Sequence, residues 1–119
     1  MNKVLVADDD EDITEILEFN LRKAGYLVET AQTGKEAIIK AIVFKPEIII
    51  IDVMMPETDG IAVCRALKNN FSLPPAQIVF FSADDSPQKR EEAIKAGGDM
   101  FISKSIPVRE VIKKIAKVQ

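Results

Sequence analysis

"EIIIID", residues 47–52, is a run of four isoleucines closed on each side by a carboxylate. No polar residue alternates with the apolar ones, so such a strand must be covered on both faces, as happens in the middle of a parallel sheet wrapped by helices. The segments around it carry the same signal. Lys3 to Ala7 is a short apolar run. From Asp12 to Ala24, the residues Ile13, Ile16, Leu17, Leu21 and Ala24 recur at helical spacing until Gly25 stops them. Tyr26 to Ala31 reads as a second strand, and Thr33 with Glu36 forms a capping-box signature before Ala37, Ile38, Ala41 and Ile42. Beyond Asp52 the loop "MMPETDG" leads into a helix bearing Ile61, Cys64 and Leu67. "PPAQIVFFS", residues 74–82, is a fourth strand, and Ser86 with Pro87 starts a helix that Gly97 and Gly98 close. "DMFIS", residues 99–103, is a fifth strand. After Pro107, the residues Val108, Val111, Ile112, Ile115 and Val118 predict a last amphipathic helix.

Five strand and helix pairs in strict alternation require crossover connections and a parallel sheet with helices on both faces, a doubly wound α/β fold. The chain is 119 residues with 47% hydrophobic and 29% charged content, which suits one domain over 1–119. A net charge of -3 argues against nucleic acid or an anionic membrane as a direct partner, since phosphate-backbone binding normally shows as a basic excess. The single Cys64 cannot form an internal disulfide, no cationic leader with an apolar stretch opens the chain, and no apolar run approaches a membrane span. A reducing, cytoplasmic setting is expected.

In a doubly wound fold the functional site forms beyond the carboxyl ends of the strands. Asp8 and Asp9 follow the first strand there, Asp52 the third, Ser82 the fourth and Lys104 the fifth. Three carboxylates a few Å apart raise one another's pKa unless a cation sits among them. An all-oxygen set suits Mg²⁺, which keeps several waters and commonly bridges carboxylates to phosphate. Histidine is absent and the one cysteine lies on a helix, so zinc is not expected. Asp52 ends a rigid central strand and is suited to act as a carboxylate nucleophile, with Lys104 and Ser82 meeting the phosphoryl oxygens. The acids Asp10, Glu11 and Asp12 are better placed in the first turn of a helix, where its dipole favours negative charge.

In order along the chain stand "VADDD", "IIDVMMPETDG", "FFSA" and "FISK", and this set resembles the receiver domains of two-component response regulators, the fold of the chemotaxis response regulator. The resemblance spans the whole chain and implies a flavodoxin-like (βα)5 sandwich with strand order 2-1-3-4-5. It implies that Asp52 accepts a phosphoryl group from a phosphohistidine of a sensor histidine kinase, or a phosphotransfer protein, or from a small donor such as acetyl phosphate. Mg²⁺ is then held by Asp9, Asp52 and the backbone carbonyl of Met54, with Asp8 acting mainly through water. Ser82 is the switch hydroxyl and Phe101 the switch aromatic, and together they change the face of the fourth helix, fifth strand and fifth helix toward an output domain or partner protein. Phe101 stands where Tyr is more frequent, so its movement is expected to depend on packing alone. Pro107 is displaced from the usual place directly after the lysine, and a trans Lys104–Ser105 bond is expected because a cis bond before a residue other than proline costs about 3 kcal/mol.

Two other classes compete with this reading. A phosphohydrolase with an aspartate nucleophile of the haloacid dehalogenase type wants a second Asp two residues on, where Met54 stands. A phosphorylation-independent binding module fits a chain that has lost Asp8, Asp9, Asp52 or Lys104, and all four are present. No side chain is evident as a base for water attacking the acyl phosphate, so slow hydrolysis is expected, with the charge of Asp84 a candidate influence. Asp99, Glu110 and Lys114 supply only some of the charges by which related DNA-binding regulators dimerise. A monomer or a phosphorylation-dependent dimer is expected.

Overall fold

The structure is a computed structural model that describes residues 2–55 and 57–117. Ten elements alternate along the chain: β1 (Lys3–Ala7), α1 (Glu11–Lys23), β2 (Leu27–Ala31), α2 (Gly34–Phe44), β3 (Ile48–Ile51), α3 (Gly60–Lys68), β4 (Gln77–Ser82), α4 (Pro87–Lys95), β5 (Met100–Ser103) and α5 (Val108–Ala116). The strands form one sheet in the order β2-β1-β3-β4-β5, all pairs parallel. This is the doubly wound architecture expected from the four isoleucines.

Those isoleucines show why the run is unbroken. Ile49 and Ile51 enter one core with Ala37 and Ala41 of α2, Ile61, Val63, Cys64 and Leu67 of α3, and Ala93 of α4. Ile48 and Ile50 enter the other, with Leu17 and Leu21 of α1 and Val111 and Ile115 of α5. Successive side chains on a strand point to opposite faces, so a strand with helices on both sides needs an apolar residue at every position. Each of these buried isoleucines contributes about 1.5–3 kcal/mol from removal of apolar surface from water.

Boundaries move by a residue or two from the sequence reading, for identifiable reasons. Asp10 is the N-cap of α1, its carboxylate accepting from the Asp12 and Ile13 amides, so the helix begins at Glu11 rather than Asp12. At the far end Gly25 takes φ 100° and donates to the Arg22 carbonyl at 3.0 Å, a backbone shape that favours glycine. Thr33 caps α2 by accepting from the Glu36 amide at 3.1 Å, while Glu36 reaches back to the Gln32 amide at 2.7 Å. β4 begins at Gln77, after the two prolines that lack ladder donors. Ser86 caps α4, with Pro87 in its first turn. Val118, counted above with the last helix, lies outside the described residues, as does Pro56 of the loop after β3. Among the described residues no helix is long and apolar enough to cross a membrane.

Candidate functional site

The strand register carries three residues to one end of the sheet. Ile51 pairs with Ala7 on one side and Phe80 on the other. The next residues continue the ladder by backbone bonds: Asp8 donates to the Ala31 carbonyl at 3.0 Å, Asp52 to Ala7 at 2.9 Å and Lys104 to Ser82 at 2.9 Å. Each functional side chain therefore springs from backbone that is still sheet-bonded.

Lys104 joins the two buried acids. Its ammonium lies 2.8 Å from Asp8 Oδ2 and 3.2 Å from Asp52 Oδ2, and stands 5.8 Å from the Phe81 ring centre. Asp8 and Asp52 are only 2% and 5% exposed. Their second oxygens accept from backbone, Asp8 Oδ1 from the Asp10 amide at 3.0 Å and Asp52 Oδ1 from the Met54 amide at 3.2 Å. Asp9 is exposed at the rim, and Asp8, Asp9 and Asp52 each offer an oxygen within 4.8 Å of the others.

The electrostatics follow from this crowding. Burial pushes the Asp52 carboxyl up to about 6, the Asp8 charge adds to the rise, and Lys104 and the Met54 amide oppose it. For Lys104 burial alone would disfavour the ammonium, but its contacts with Asp8 and Asp52 together outweigh burial and raise its pKa. One ammonium faces three carboxylates, so the cluster remains short of positive charge. Asp8 Oδ2 is fully buried, and the partner it has in the structure is the Lys104 ammonium at 2.8 Å. Oxygen-only donors from Asp8, Asp9 and Asp52 within 4.8 Å of one another, with excess negative charge, fit a hard divalent cation such as Mg²⁺.

The other predicted residues are placed as follows. Ser82 is buried at the end of β4, its Oγ accepting from the Asp84 amide at 3.1 Å. Phe101 is half-buried, stacked on Phe80 with ring centres 6.5 Å apart and planes at 28°. Packing is not its sole restraint, because the Arg90 guanidinium lies 4.9 Å above its ring. The Lys104–Ser105 bond is trans, no cis peptide being present among the described residues. The loop it enters is closed by the Ser105 amide donating to Ser103 Oγ at 3.2 Å. Met54 is largely exposed, and its amide is used by Asp52. Asp84 turns its carboxylate to the Ser86 amide at 3.2 Å. Cys64 is a core residue whose thiol burial pushes up to about 11.

Two contributors were not evident in sequence. Gly60 packs so closely under Asp52 that a Cβ there would lie 2.0 Å from the Asp52 carbonyl oxygen, and its amide donates to Val53 at 2.8 Å. Asp59 caps α3 by accepting from the Ile61 amide at 2.8 Å. The Asp-Gly pair at 59–60 signals a turn; only the approach to Asp52 shows what the turn holds.

Residues 4–116 match the family described as the response regulator receiver domain. The chain is 37% identical over 116 residues to the Bacillus subtilis alkaline phosphatase synthesis transcriptional regulatory protein PhoP, covering 98% of this chain and 48% of that protein. It thus spans about half the length of that curated relative. Among solved structures, Vibrio cholerae chemotaxis protein CheY4 superposes with a TM-score of 0.94 at 31% identity, over 100% of this chain and 99% of that one. A Burkholderia pseudomallei response regulator, determined with a phosphorylated aspartic acid, a calcium ion and citrate, matches with a TM-score of 0.86 at 27% identity, over 94% of this chain and 65% of that one.

Proposed function

The chain belongs to the response regulator receiver domains, signalling modules of two-component systems, and on that premise we propose that residues 1–119 form one receiver domain that accepts a phosphoryl group on Asp52. The observation that carries this is the Asp52 carboxylate at the end of β3, held between the Lys104 ammonium at 3.2 Å and the Met54 amide, with oxygens of Asp8 and Asp9 close by. The phosphorylated aspartic acid of the Burkholderia pseudomallei relative supports the same chemistry.

An Asp52 carboxylate oxygen forms the new O–P bond as the donor's N–P bond, in a phosphohistidine, or O–P bond, in acetyl phosphate, breaks. The electron pair leaves with imidazole or acetate. Asp52 must be ionised to attack, and with a pKa near 6 it is mostly so at neutral pH. Lys104 stays beside the acyl phosphate and compensates the charge that gathers on its oxygens. Asp9, Asp52 and the Met54 carbonyl are the proposed Mg²⁺ ligands, with Asp8 acting through water. When bound, Mg²⁺ neutralises the carboxylates and draws the phosphoryl oxygens to the site. The Ser82 side chain then turns so that its hydroxyl donates to a phosphoryl oxygen, Phe101 follows, and the surface of α4, β5 and α5 changes toward an output domain or partner protein. The donor in a cytoplasmic setting is a sensor histidine kinase or phosphotransfer protein.

Incubation with acetyl phosphate and Mg²⁺ should add one phosphoryl group by intact mass, lost with a chelator and in Asp52→Asn. A wild-type protein left unlabelled by several donors, or equal labelling of Asp52→Asn, overturns the proposal.

A further inference from the structure

Phe101 has two ring contacts. The Phe80 ring is stacked with it at 6.5 Å between centres, and the Arg90 guanidinium of α4 lies over its ring at 4.9 Å. Arg90 is not a free surface cation, since its Nε also donates to the Asp85 carbonyl at 3.2 Å. Asp85 sits in a loop tied in sequence from the switch hydroxyl to the helix. Ser82 Oγ accepts from the Asp84 amide at 3.1 Å, Asp84 Oδ1 from the Ser86 amide at 3.2 Å, and Ser86 Oγ from the Lys89 amide at 3.3 Å. One side chain thus links the loop that starts at Ser82 to the aromatic on the neighbouring strand.

We propose that Arg90 is a positioning residue of the switch, holding Phe101 and the Ser82-to-α4 loop in the arrangement in which Ser82 Oγ accepts from the Asp84 amide. This rests on the reading of Asp52, Ser82 and Phe101 given above. When the Ser82 side chain turns so that its hydroxyl donates to a phosphoryl oxygen, its Oγ moves out of reach of the Asp84 amide, the first bond of the chain is lost and the loop carrying the Asp85 anchor is released. Arg90 then loses its grip on the ring. A guanidinium over an aromatic face supplies what the missing phenolic hydroxyl cannot: a directional restraint on where the ring sits. Because the contact belongs to one of two arrangements, removing it shifts the population toward the other and tightens ligands that prefer it.

The test has two readouts. In the metal-free protein, Arg90→Gln should shift the Phe101 ring signals in ¹³C-resolved NMR of labelled phenylalanines and leave those of Phe44 and Phe71 in place. With Mg²⁺, beryllofluoride should bind Arg90→Gln about two- to five-fold more tightly than wild type, the scale of an exposed cation–π contact. Arg90→Lys should lie between, and in a Phe101→Leu background the effect of Arg90→Gln should vanish. Unchanged ring signals, unchanged affinity, or an effect that survives in Phe101→Leu overturns the role of Arg90 alone. A wild type that binds no beryllofluoride overturns the phosphoacceptor reading and this inference with it.

Discussion

Replacing Asp52 by Asn should make the metal-free protein more stable while abolishing its phosphorylation. Asp52 has its carboxyl pushed from the usual 3.8 to about 6, first by burial and then by Asp8. A carboxyl with a raised folded-state pKa lowers stability wherever it is ionised. The penalty is absent below the unfolded pKa, grows as pH rises between about 4 and 6, and is complete above. Two pKa units correspond to about 3 kcal/mol above pH 7 and about 1 kcal/mol at pH 4.5. Asn removes the charge but keeps an oxygen for the Met54 amide, and Lys104 retains Asp8 as its partner at 2.8 Å. Urea unfolding in chelator at pH 7.5 should therefore move the midpoint of Asp52→Asn upward by about 1.5 M for a slope of ~2 kcal/mol/M. At pH 4.5 the difference should shrink to about a third. A midpoint equal to or below wild type at pH 7.5, or a difference that does not change with pH, refutes the account of Asp52 as a buried, repelled carboxylate.

The same repulsion should make the protein responsive to cation. Mg²⁺ at about 100 times its dissociation constant should stabilise wild type by about 2.7 kcal/mol in urea melts, and Asp9→Asn should lose most of that gain; a full gain in Asp9→Asn removes Asp9 as a ligand. Gly60→Ala should destabilise by about 3 kcal/mol, the scale of overpacking, because the new Cβ meets the Asp52 carbonyl at 2.0 Å; its acetyl phosphate labelling rate should fall as well, and a normal rate means that α3 can move without disturbing Asp52. Asp10→Ala should lower stability by about 1 kcal/mol through loss of the α1 cap and leave Mg²⁺ binding unchanged, whereas a weakened Mg²⁺ response would return Asp10 to the metal site.

What was legible in sequence is what depends on pattern. Four isoleucines can be buried only between two helical layers, and Asp52 directly after them can only emerge at the sheet end. The run of acids from Asp8 to Asp12 was separable in outline, since Asp8 is buried against Lys104 and Asp10 caps α1. Which acid caps and which begins the helix depends on one residue of backbone shape that a run of acids does not reveal. Arg90 was illegible for another reason. It stands on a helix of polar composition, "PQKREEAIK", where any cation reads as solvated surface. Only the fold brings it over a ring eleven positions further along. The role of Gly60 likewise depends on a contact with backbone eight residues earlier, which no local pattern encodes.

The legible and illegible parts meet in a mechanical property of the site. Three carboxylates could relieve their repulsion by moving apart, but two of them are fixed by ladder bonds of their own backbone, Asp8 to Ala31 and Asp52 to Ala7. Gly60 donates to the carbonyl next to Asp52, and Lys104 is itself bonded to Ser82. Relief by backbone motion is therefore closed to Asp8 and Asp52, and the further route is compensation by positive charge beyond what Lys104 supplies. The residues free to rearrange lie one step further out, in the loop from Ser82 to Ser86, whose hydrogen bonds are short-range and renewable with other partners. On the proposed reading, a rigid charged centre joined to a rim of short-range bonds would confine the response to ligand to that rim, where Ser82, Arg90 and Phe101 stand.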